Sequence, residues 1–97
     1  MIPRIQKDAD LLLLGMLAAT LPDPNKASNP KQFYQASYRN HAFNHIVNEV
    51  INSEEQAYKV ITDFRDRMLK AACDSYNNGY MFSVAADTAD WILDELS

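Results

Sequence analysis

The stretch Leu11-Leu-Leu-Leu-Gly-Met-Leu-Ala-Ala-Thr-Leu21 is apolar on every side, and this constrains the fold more than any other feature of the chain. A surface helix carries an apolar stripe and a polar back; this one has no back. At about 100° per residue, Ile5, Ala9, Leu12, Met16 and Ala19 make one face, while Leu11, Leu14, Ala18 and Leu21 make the opposite one. Both faces need cover. The other helices of a chain this short offer too little apolar surface for that, so Leu11, Leu14, Ala18 and Leu21 are the expected contact in a homo-oligomer, most simply a dimer. Gly15 and Ala19 form a small-xxx-small pair, suited either to close approach of a second helix or to no role at all.

The rest of the chain reads as helices as well. No sustained strand-like alternation occurs, 47% of residues are apolar and only two are glycine, which points to an all-α domain. Helix 1 is expected over about 4–20, closed by Pro22. Residues 21–29 are a Pro/Asn/Ser linker, long enough to let helix 1 pack on its own chain or swap onto another. Asn29-Pro30 is a cap followed by a first-turn proline, opening helix 2 over 30–52. Ser53-Glu-Glu-Gln56 fits a capping box for helix 3 over 54–77. Asn77-Asn78-Gly79 reads as a stop with Gly79 left-handed, which leaves a shorter helix 4 over 83–96. The expected architecture is one domain over 1–97: a small bundle of three long helices and one shorter C-terminal helix, mostly antiparallel. Arg39 and Arg65 fall inside the apolar arcs of helices 2 and 3; the Arg39 stem should pack while its guanidinium finds a carboxylate or reaches water, and Arg65 is likewise a candidate for a packed ion pair.

Charge and composition exclude several functions. Thirteen acidic residues against nine basic ones give a net charge of −4, and Arg65, Arg67 and Lys70 alternate with Asp63, Asp66 and Asp74. No stripe follows a phosphate backbone, so direct nucleic-acid binding is not expected. The apolar run falls short of the roughly 20 residues of a membrane span. Arg4 and Lys7 ahead of it suggest a signal peptide, but Asp8 and Asp10 cancel that charge. A single cysteine, Cys73, fits a reducing cytoplasm. Two glycines supply no phosphate loop, no nucleophile elbow occurs and Cys73 has no neighbouring histidine, so neither an enzyme nor a cofactor is expected.

Three groups of residues are candidates for a site. Tyr34, Tyr38, His41 and His45 share one side of helix 2, a back that is aromatic where a solvated back would carry Lys and Glu. Tyrosine offers large contact area at low entropic cost, which makes this stripe a candidate protein-binding surface unless helix 1 or helix 4 covers it. Asp87, Asp90 and Asp94 lie together on helix 4 and can face a basic partner. His41, His45 and Glu49 stand on successive turns of one face, the spacing at which side chains clamp a divalent ion; a closed zinc site still needs a fourth donor, and the absence of any Glu-x-x-His argues against a di-iron centre. The functional expectation is a small acidic protein–protein interaction module, with a helical metal-binding protein as the alternative.

Overall fold

In the computed structural model, which describes the backbone of residues 2–97 and the side chains of residues 7–97, local signals of the kind read above set where each helix starts and stops. Helix α1 spans Ile2–Ala18, α2 Pro30–Asn52, α3 Ala57–Asp74 and α4 Gly79–Leu96, and no strand occurs among the described residues. Ile5, placed above on the first face of helix 1, lies outside the described side chains. Asn29 caps α2 as expected: its Oδ1 accepts the Gln32 N–H at 2.9 Å, and Pro30 occupies the first turn.

Helix α1 starts and ends two residues earlier than expected, and the joints on either side of α3 differ from the sequence reading, each for a local reason: α3 is shorter at both ends and α4 starts four residues sooner. The capping box does not form. Ser53 Oγ accepts the Glu55 N–H at 3.0 Å and serves the turn, so α3 starts at Ala57 with Gln56 making no side-chain cap. Gly79 is not left-handed either. Ser75 Oγ accepts the Asn78 N–H at 3.0 Å and turns the chain early, which lets Gly79 enter α4. That helix therefore has 18 residues, as many as α3, and is not a shorter appendage.

Helices α2, α3 and α4 form an up-down-up unit. Tyr38 meets Tyr80, Arg39 meets Asp87 and Phe43 meets Trp91, pairs that advance together along α2 and α4. In contrast, Arg65 meets Asp90 while Gly79 lies by the Ala72 carbonyl, so α3 runs back against α4. Their shared core holds Phe43, Ile46, Val50, Ile61, Phe64, Ala85, Ala89 and Ile92. The small residues on α4 let α3 approach closely, and the buried Thr88 hydroxyl donates to the Val84 carbonyl at 2.7 Å.

Helix α1 lies against this unit antiparallel to α2. Lys7 donates to the Ser53 carbonyl at one end, and the linker's Pro22 carbonyl accepts from Asn40 at the other. Of the face assigned above to a second copy, Leu14 is 1% exposed and Leu11 and Leu21 pack against the core, with Leu17 buried beside them, whereas Ala18 stays exposed. The opposite face is open, with Leu12 70% and Met16 64% exposed. A Cβ added to Gly15 would meet no atom within 4 Å, so no helix of this chain uses the small pair. The linker is also less slack than its composition suggests. Asp23 caps a 3₁₀ turn over Pro24–Lys26, the Ser28 N–H donates to Gln32 Oε1 at 2.9 Å, and Asn40 Nδ2 bridges the Pro22 and Ala36 carbonyls at 2.7 and 2.8 Å.

Candidate functional site

Three successive turns of α2 carry Tyr34, Tyr38, His41 and His45 outward, and what lies opposite them decides what they can do. Tyr34, His41 and His45 are exposed, and the first turn of α4 leaves Tyr38 half-buried. The Tyr34 and Tyr38 rings stack at 6.1 Å, Tyr80 at the start of α4 closes on Tyr38 edge-on at 6.0 Å, and Phe33 stands edge-on to Tyr34 at 5.7 Å. Lys31, Tyr34, Tyr38 and Tyr80 line one cleft. Tyr38 is shared with a second cleft of about 200 Å³ between α2, α3 and α4, where His41, His45, Met68, Met81 and Phe82 surround a floor of Ala42, Phe64 and Ala85.

Together the two clefts make one groove, from Lys31 at the start of α2 to His45. The part sequence reasoning missed is its far wall. Met68 lies on the apolar arc of helix 3 and reads only as core, while Met81 and Phe82 fall in the segment expected to be loop; only packing brings α3 and the first turn of α4 to the aromatic back of α2. The two clefts hold about 370 Å³ beside Lys31 and about 200 Å³ beside His41, and both are lined mainly by apolar and aromatic side chains. Methionine suits such a surface because it is flexible and polarisable.

The metal-ligand arrangement does not form. No group of three or more His, Cys, Asp or Glu side chains converges on a cation position among the described residues. Both Glu49 oxygens are engaged: Oε2 lies 2.8 Å from His45 Nε2 and Oε1 2.5 Å from an Arg67 guanidinium nitrogen. A cation would have to displace Arg67, and His45 is held against the Phe64 ring at 5.6 Å while His41 faces the groove.

The acidic stripe of α4 is also largely engaged within the chain. Arg39, its guanidinium carbon 6.0 Å from the Trp91 ring, donates to Asp87 at 2.5 Å. Arg65 donates to Asp90 and Asp66, each at 3.2 Å, and these bonds, Asp90's first, raise its pKa above the ordinary guanidinium value. Asp87 and Asp90 thus answer the two arginines read above as packed, while Asp94 alone of the three makes no ion pair among the described residues. A concavity of about 870 Å³ is an open trough lined by the paired carboxylates Glu49 and Asp66 and by Glu55 and Asp63.

Fold and surface define the class: a small all-α bundle with a solvent-open aromatic and methionine groove. No protein-family model, characterised protein or solved structure matches the chain. No helix among the described residues is long and apolar enough to cross a membrane.

Proposed function

We propose that the protein is a small acidic protein-binding module, a regulator, inhibitor or assembly subunit without catalytic activity, and that its partner docks in the groove bounded by α2, α3 and α4. One observation carries this reading. The Tyr34–Tyr38–Tyr80 ladder continues into a methionine-walled cleft and stays open to solvent, although burying such side chains would stabilise the chain. Large aromatic residues beside an apolar pocket are the usual anchors of protein interfaces. The lone, exposed Cys73 supports a reducing, cytoplasmic setting.

A photo-crosslinking residue placed at Tyr34 tests the reading against the same residue at Lys59, on the exposed side of α3. A partner crosslinked at position 34, absent at 59 and lost on Tyr38→Ala, supports it. Equal labelling at both positions refutes it.

A second reading, homo-oligomerisation, draws on the outer face of α1, where Leu12 and Met16 are exposed and Gly15 leaves room for a close-packed helix. This moves the expected contact to the face opposite Leu11, Leu14 and Leu21. Sedimentation at micromolar concentration tests it, and a single 11.0 kDa species would exclude it.

A further inference from the structure

Charge is segregated on this molecule in a way that specifies the groove's occupant. The chain has 13 acidic residues and a net charge of −4, yet none of the residues lining the two clefts is Asp or Glu. The polar groups that line them are the Lys31 ammonium, the His41 and His45 imidazoles and the phenols of Tyr34, Tyr38 and Tyr80. His45 Nε2 already faces Glu49 at 2.8 Å; the others can donate hydrogen bonds to an occupant, and Lys31 sits in the first turn of the 23-residue α2, at the positive end of that helix. Over most of this protein an acidic segment meets repulsion; along the groove it meets donors.

The backbone limits the occupant's form. Every wall of the groove is a helix, and no strand occurs among the described residues to offer an edge for β-addition. A trough between helices receives the ridge of another helix. From Lys31 to His45 the groove follows α2 for about 21 Å at 1.5 Å per residue, which a helix of about 14 residues matches. The floor at Phe64 and Ala85 and the walls at Met68 and Met81 suit leucine or methionine anchors repeating on one helical face.

We propose that the groove receives one acidic amphipathic helix of about four turns from another protein, apolar anchors over Tyr38, Met68 and Met81 and carboxylates towards Lys31 and His41. This rests on the groove being the docking surface, and it names the partner's chemistry. Specificity comes from local charge: a basic helix with the same anchors loses these contacts, although the net charge of −4 attracts it to the rest of the surface.

The test uses two fluorescein-labelled synthetic peptides of about 14 residues, with leucines on one helical face and flanks of either glutamate or lysine, titrated with the full chain by fluorescence anisotropy. The glutamate peptide should bind at micromolar Kd and the lysine peptide about tenfold more weakly. Lys31→Glu should weaken the glutamate peptide several-fold and spare the other, and Tyr38→Ala and Met81→Glu should each weaken it about tenfold. Circular dichroism checks the fold of Met81→Glu, and the exposed Tyr34→Ala supplies a groove variant that folding cannot compromise. A lysine peptide that binds as well or better, and is lost on Tyr38→Ala and Tyr34→Ala, overturns the acidic helix while keeping the groove. Binding absent for both peptides, or indifferent to the groove variants, overturns both readings. Self-association abolished by Tyr38→Ala makes a second copy the occupant and overturns the acidic helix.

Discussion

Replacing Leu14 with alanine should cost far more than replacing Leu12, its neighbour two positions away in the same leucine run. Leu14 is 1% exposed and belongs to the core cluster with Phe43, Ile46 and Ile92, whereas Leu12 is 70% exposed. Leucine-to-alanine changes at fully buried sites cost about 2–5 kcal/mol, the spread reflecting how far the site collapses. Among the described residues, α1 buries only Leu14 and, less completely, Leu17 in that core, so α1 can shift to close part of the gap, and about 3 kcal/mol is expected. For a domain whose total stability is about 5–15 kcal/mol, and whose Tm moves by about 4–8 °C per kcal/mol, the melting point should fall by about 12–24 °C. Leu12→Ala should stay within about 0.5 kcal/mol of wild type. Far-UV circular dichroism follows the helices during urea and thermal unfolding. Trp91, which lines a cleft with Thr20, Leu21 and Pro22, reports by fluorescence on the end of α1. Equal costs at the two positions would refute the reasoning, because they would mean that the outer face of α1 is buried in solution, and protein concentration would then shift both curves.

Gly15→Ala should stabilise the chain by about 0.5–1 kcal/mol, since the added methyl meets open space and the helix gains propensity; a lower melting point would show a second helix packed on Gly15. Asn29→Ala should cost about 1 kcal/mol in urea unfolding by removing the cap on Gln32, and an unchanged midpoint would deny that cap a role. Zinc well above micromolar should leave the melting point unchanged, because Arg67 occupies Glu49; a rise abolished by His45→Ala would restore the metal arrangement. Asp87→Asn should cost under about 1 kcal/mol, since its carboxylate is largely exposed, and an effect that persists in high salt would contradict a surface ion pair.

The helices themselves were legible because their signals are local. Asn29-Pro30 acts within one turn, and the apolar arcs of α3 and α4 identify Ala57, Val60, Ile61, Phe64, Ala85, Ala89 and Ile92 as core without knowledge of their neighbours. The errors lie where two local solutions compete. Ser53 can cap a helix or close a turn, and Gly79 can stop one helix or start the next; the short joints between helices decided both. Helix 1 was misread for a different reason. Its wheel is apolar all round, so periodicity cannot say which leucines face inward; that is settled by packing, which puts Leu14 and Leu17 in the core shared with α2, α3 and α4.

Half of the groove could be read from one helix and half could not. The sequence places Tyr34, Tyr38, His41 and His45 on one side of α2 because spacing on a single helix is geometry, and these residues do line the groove. The opposite wall is a product of tertiary packing: Tyr80 and Met81 sit in the first turn of α4, a segment that reads as loop when Gly79 is taken for a stop. The same helix explains why the acidic stripe was legible as residues and illegible as a surface. Arg39 and Arg65 were recognisable as cations inside apolar arcs that need carboxylates, and Asp87 and Asp90 as carboxylates without cations, but pairing them requires α4 to lie between α2 and α3. Once it does, Asp87 and Asp90 pair with the arginines of the two neighbouring helices, and the aromatic side of α2 between Lys31 and His45 is left as an open, largely apolar groove.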